Sequence, residues 1–133
     1  MRILALVLGF WIAATAAAAQ DSDAIEDVIG SQLEAFNNRD VSEAWQYASP
    51  NIKRLFGSSD NFGMMVQRGY PMVWDNADVR FLELRDVAGN LWQKVMVRDA
   101  QGGLHILDYQ MVETAEGWQI NGVQLLPAPD VGA

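Results

Sequence analysis

Residues 79–126, VRFLELRDVAGNLWQKVMVRDAQGGLHILDYQMVETAEGWQINGVQLL, decide the fold. Apolar and β-branched runs alternate here with clusters of Gly, Asn and Asp at hairpin spacing. The spacing predicts four strands: Val79 to Arg85, Leu91 to Arg98, Leu104 to Val112 and Trp118 to Leu126. The intervening segments 86–90, 99–103 and 113–117 are short, which implies an antiparallel meander. Setting Arg98 opposite Leu104 puts Trp92, Lys94, Met96 and Arg98 on one face with Gln110, Asp108, Ile106 and Leu104. Leu91, Gln93, Val95 and Val97 then share the other face with Met111, Tyr109, Leu107 and His105. The second set is more apolar and is expected to face the rest of the protein. In this register Lys94 lies opposite Asp108 as a cross-strand ion pair.

Upstream of the strands the period changes. Ile25, Val28, Ile29, Leu33 and Phe36 recur at three- and four-residue steps, the mark of an amphipathic helix that ends at Asn37-Asn38. Asp40 with Glu43 three residues later starts a second helix through Val41, Ala44, Trp45 and Ala48. Ser49-Pro50 opens a third that stops at Gly57. Ser58-Ser59-Asp60 opens a fourth bearing Phe62, Met65 and Val66, which ends at Gly69 before Tyr70-Pro71. Helices followed by an antiparallel sheet give an α+β fold in which the helices cover one sheet face.

Before the first helix stands MRILALVLGFWIAATAAAA, residues 1–19. One basic residue, an apolar run and a small-residue Ala17-Ala18-Ala19 end read as a secretory signal peptide cleaved before Gln20. The alanine-rich second half inserts weakly, and a bilayer span needs roughly 20 apolar residues. The expected arrangement is therefore a signal peptide at 1–19, one domain at 20–126 and a loose tail at 127–133. Export to the periplasm or the extracellular space follows, with no membrane association after cleavage.

Without residues 1–19 the chain carries eight basic against seventeen acidic side chains, a formal −9. That charge opposes nucleic acid and anionic lipid alike. The absence of cysteine excludes disulfides, thiolate catalysis and Cys-ligated metal. A single histidine, His105, excludes multi-histidine zinc sites, and the ligand spacing of a calcium loop does not occur. No metal and no cofactor are expected.

The run AFNNRDVSEAWQYASPNIKRLFG, then FGMMVQRGYPMV, and the closing strand GWQINGVQLL resemble the nuclear-transport-factor-2-like, or cystatin-like, group of cone-shaped α+β folds. Within it, SPNI, the phenylalanine of RLFG and MVQRGYPMV most resemble domain-of-unknown-function family 4864, a bacterial family often carrying signal peptides. The resemblance implies a four-stranded curved sheet with helices packed over its concave face. It brings no catalytic residues with it, and the wider group holds isomerases, dehydratases, adaptors and plain binding domains.

A cone of this kind places any ligand between the helices and the concave sheet face. Pairing Arg85 with Leu91 sets Glu83, Gln93 and Tyr109 in one transverse row, with His105 nearer one end and Asn121 a fourth member if a bulge forms near Gly122. These residues are the candidate ligand-binding set. A satisfied internal hydrogen-bond network is the competing reading of the same row. As an acid-base set, Glu83, Tyr109 and His105 would serve a cofactor-independent lyase or isomerase. On the opposite face Trp92, Met96, Leu104 and Ile106 form an apolar patch, the candidate interface for a homodimer. The stems of Lys94 and Arg98, or the 72–78 segment, are the competing cover for it. The expected function is a non-catalytic module that binds a small molecule or a protein. The lyase or isomerase and a structural envelope component are the alternatives.

Overall fold

Short polar side chains start three of the helices. Asp40 Oδ1 accepts from the Glu43 N–H at 3.0 Å, Ser49 Oγ from Ile52 at 3.2 Å and Ser58 Oγ from Asn61 at 3.1 Å. Each satisfies one of the donors a helix leaves free at its first turn. In the computed structural model, which describes residues 2–127 and the side chains of 18–127, these caps open α2 (Val41–Gln46), α3 (Pro50–Phe56) and α4 (Ser59–Gly69). Gly57, at φ 80°, closes α3 in the left-handed conformation glycine tolerates. Ahead of them α1 runs from Arg2 to Asn37. Among the described side chains, from residue 18 on, Ile25 is the first buried one, whereas Ala18, Ala19 and Gln20 are exposed.

A fifth helix, α5 (Pro71–Trp74), occupies the place where Tyr70-Pro71 was expected only to stop α4. Proline suits a first helical position as well as it ends a preceding helix. Met72 and Val73 bury themselves in the core instead of crossing the outer sheet face. Asn76 fastens this corner: its Nδ2 donates to the carbonyls of Leu33 at 3.0 Å and Val73 at 2.8 Å, and its Oδ1 accepts from Asn37. Arg39 stacks on the Trp74 ring at 4.5 Å and pairs with Asp75.

The remaining chain forms a curved antiparallel sheet in the order β1 (Asn76–Val87), β2 (Asn90–Asp99), β3 (Leu104–Thr114), β4 (Gly117–Leu126). From β2 to β3 the register is the expected one, from Leu91 opposite Met111 to Arg98 opposite Leu104. Val95, Val97 and Leu107, all fully buried, face the helices with Tyr109 and Met111. All three connections are shorter than the five-residue loops expected, with 88–89 and 115–116 two residues long and 100–103 four. Ala88 and Gly89 turn between β1 and β2 with φ of 54° and 88°, the left-handed pair of a type I′ turn whose twist matches the strands it joins.

That turn changes the register of β1. Near it Leu84 opposes Gln93 and Arg85 opposes Trp92, one residue away from the alignment that pairs Val79 with Val97 and Phe81 with Val95. Burying Phe81 and Val79 requires the second alignment, so a bulge at Leu82-Glu83 reconciles the two. A second bulge, at Asn121, lies where it was anticipated near Gly122. It allows Ile120 and Val123 both to face inward. β4 has one free edge, and the segment between α2 and α3 covers part of it, with Ser49 N–H donating to Ile120 and Ile120 N–H to Tyr47, each at 2.8 Å. Of the expected loose tail, all but Pro127 lies outside the described residues.

Candidate functional site

The helices do not close completely on the sheet. Between them lies a cavity of about 250 Å³. Phe36 of α1 forms its floor, and Ile52, Leu55 and Phe56 of α3 with Phe62, Met65 and Val66 of α4 form one wall. Tyr109, Ile120, Gly122 and Val123 form the sheet side. Leu55, 73% exposed, marks the mouth. The aromatic rings hold the wall: Phe62 sits 5.9 Å from both Phe36 and Phe56 and 5.5 Å from Trp45, tilted or edge-on as ring quadrupoles favour.

Polar atoms on this wall are few and mostly committed. Gln32 Nε2 donates to the Ala44 carbonyl at 3.1 Å, and the Tyr70 hydroxyl donates to the Val123 carbonyl at 3.2 Å. Tyr109 differs. Its ring is 1% exposed, and its hydroxyl has no hydrogen-bond partner. Burial, with a smaller contribution from Tyr70, raises its pKa well above the usual phenol value, so the group stays a neutral O–H donor. Opposite it Gln93, also 1% exposed, spends Nε2 on the carbonyls of Leu82 and Lys94, both at 2.9 Å, and leaves Oε1 unpartnered.

The expected row is thus changed. Across the four strands it reads Leu84, Gln93, Tyr109, Val123. Glu83 does not join it, because the bulge turns its side chain to the outer face, where it is 64% exposed and pairs with Lys94 at 3.2 Å. Asn121 is likewise turned away; it accepts from Ser49 Oγ at 2.7 Å and donates to Gln110 at 3.3 Å. His105 lies outside the cavity wall, its Nε2 held 2.7 Å from Asp99 Oδ2. The acid-base set of Glu83, Tyr109 and His105 is therefore not assembled, and among the described residues no carboxylate or imidazole lines the cavity. Among the described residues no group of three His, Asp or Glu could hold a metal ion, and no helix is long and apolar enough to cross a membrane.

The helix side of the cavity escaped the sequence reading. Phe36, Phe62, Met65 and Val66 read only as the apolar faces of their helices and Phe56 only as part of the family resemblance; the signal available was the clustering of Phe36, Trp45, Phe56 and Phe62 at helical spacing. On the outer face Trp92, Met96 and Leu104 are half-buried and Ile106 is buried. Asp108 pairs there with Arg85 through two bonds of 3.0 and 2.7 Å, not with Lys94 as expected. The fork of a guanidinium matches a carboxylate better than an ammonium does, and the shifted register sets Arg85 within reach.

Two predictions arise from these side chains. The Tyr109 hydroxyl is buried without a partner, so removing it relieves a desolvation cost; Tyr109→Phe is expected to leave stability unchanged or raise it by up to about 1 kcal/mol in urea unfolding. A loss beyond that size would mean the hydroxyl is bonded inside the protein, for example to Gln93. Asp99 is the opposite case. His105 first, and then the Gly103 N–H at 2.8 Å, hold its carboxyl below the usual range. A depressed folded pKa contributes stability that is complete above the unfolded carboxylate value, about 3.9, and is lost as pH falls through the folded value. The melting-temperature gap between the wild type and Asp99→Asn is therefore expected to be widest near neutral pH and to close as pH falls below about 4. A gap constant down to pH 2 would remove the carboxylate from that role.

The chain's likeness to known proteins is of one kind. The model of a family described as Domain of unknown function (DUF4864) matches residues 18–133. No curated protein and no solved structure matches it.

Proposed function

The chain belongs to the DUF4864 family, and we propose that its domain is an exported, non-catalytic binding module of the nuclear-transport-factor-2-like, cone-shaped kind, which holds a small, largely apolar molecule beneath α3 and α4. One observation carries the reading: a cavity of about 250 Å³ whose wall is built mostly of apolar side chains from α1, α3, α4 and the sheet. Protein interiors pack with few voids larger than a water molecule, and ligand sites combine apolar walls with few polar groups. An occupant of about ten heavy atoms at about 0.5 kcal/mol each would bind with a Kd of about 0.2 mM or tighter.

Export rests on the pattern of residues 1–19, on the exposed side chains of Ala18, Ala19 and Gln20 and on a family match that begins at residue 18. A homodimer through the outer sheet face is the proposed assembly, supported by the half-buried Trp92, Met96 and Leu104. Trp92→Asp is expected to halve the sedimenting mass while the fold survives; a wild type that already sediments as a monomer overturns this assembly. The binding reading is tested by native mass spectrometry of the protein purified gently from its own envelope. A reproducible small-molecule adduct, lost on unfolding, is expected. A bare protein that also fails to bind n-butylbenzene in titration would overturn it.

A further inference from the structure

Of the short helices α2 to α5, α3 alone buries none of its residues. α2 is one residue shorter and buries Ala44, and α5, with four residues, buries Met72 and Val73. The apolar side of α3 is present but faces the cavity. Ile52, Leu55 and Phe56 line it, so the space where their packing partners would stand is the cavity itself. Ile52 and Phe56 are therefore only half-buried, and Leu55 is exposed.

The polar fastenings of α3 sit at its two ends. At the first, Ser49 donates its N–H to the Ile120 carbonyl at 2.8 Å and its hydroxyl to Asn121 Oδ1 at 2.7 Å, and Asn51 Nδ2 donates to the same oxygen at 3.4 Å. At the last, the Phe56 carbonyl accepts from Asn61 Nδ2 at 3.1 Å, an exposed bond. Between them Arg54 bonds only Asn51, within the helix itself, among the described residues. Gly57 follows at φ 80°, and a side chain there would meet no atom within 4 Å, so nothing crowds the joint to α4.

Seven residues are too few to hold a helix by themselves in water. A segment with few buried apolar contacts opens more readily than the core around it. What α3 lacks, an occupant supplies, because a molecule in the cavity touches Ile52 and Phe56 and removes their apolar surface from water. We infer that α3 is the lid of the cavity, hinged at Ser49 and Gly57, which opens in the free protein and is held shut by the occupant. The inference rests on the binding reading above and adds the element that moves.

Amide hydrogen exchange of the purified full chain, with and without n-butylbenzene, tests it. In the free protein the amides of residues 53–57 are expected to exchange at least about 100-fold faster than those of Val95 and Val97, once intrinsic rates are divided out. If only the closed lid holds the probe, the exchange of 53–57 slows by a factor of 1 + [L]/Kd, about twofold at half occupancy and about fourfold at three-quarters. Val95 and Val97, which exchange through global unfolding, slow alongside and report that the probe is bound, while the Gly89 amide in the β1–β2 turn is expected not to change. Amides at 53–57 as slow as those of Val95 and Val97 in the free protein overturn the lid. So do fast amides that the probe leaves unchanged while Val95 and Val97 slow, and either result leaves the cavity a binding site. A probe that slows no amide and shows no binding in titration overturns the binding reading itself.

Discussion

Truncation of Phe36 to alanine is expected to lower stability by about 3 to 5 kcal/mol, roughly a fifth or more of the about 5 to 15 kcal/mol a domain holds in reserve. The ring is 1% exposed and lies where three elements meet. It packs 5.9 Å from Phe62 of α4 and 6.1 Å from Trp74 of α5 while belonging to α1. Its loss enlarges a cavity that already exists, so neighbours cannot collapse to refill the space. The cost should stand at the upper end of the large-to-small range. Phe56→Ala provides the comparison. That ring faces the same cavity from α3 but is only half-buried, and its removal is expected to cost about half as much. Urea unfolding of the two variants checks the order. Equal losses would mean that Phe36 does not anchor the core.

Filling the cavity is expected to have the second large effect, on binding instead of stability. Val123 faces inward from β4, opposite Tyr109, and borders the empty space. Tryptophan there would project into the volume that a ligand needs. Binding of n-butylbenzene is expected to fall at least 30-fold, with melting temperature unchanged or raised, because an overpacking penalty of about 1 to 3 kcal/mol applies only where no room exists. Val66→Phe fills the same space from α4 and serves if the first variant fails to fold. Undiminished binding by either folded variant would place the ligand elsewhere.

Patterns settled by one or two neighbours were legible in the sequence. Asp40, Ser49 and Ser58 cap helices because a short side-chain oxygen reaches an N–H three residues on. The pairing of β2 with β3 was legible because alternation on both strands leaves a single register that buries Val95, Val97 and Leu107 together. Glu83 shows where this logic ends. Leu82-Glu83-Leu84 reads as plain alternation, yet the turn at Ala88-Gly89 and the burial of Phe81 demand registers one residue apart. Only a bulge satisfies both, and it turns Glu83 outward. His105 follows the alternation but stands beside the Asp99 loop, where a charged oxygen at 2.7 Å holds its ring. The cavity itself was not legible. An apolar residue on a helix face reads the same whether the space before it is filled or hollow, since that depends on how far the helices stand from the sheet.

The most direct test of the central claim is the position of a bound probe. In a complex of the purified protein with n-butylbenzene, nuclear Overhauser contacts from the probe to the methyl groups of Ile52, Val66, Ile120 and Val123 are the expected result. Contacts to Met96, Leu104 or Ile106 on the outer sheet face instead, or none at saturating probe, would contradict it.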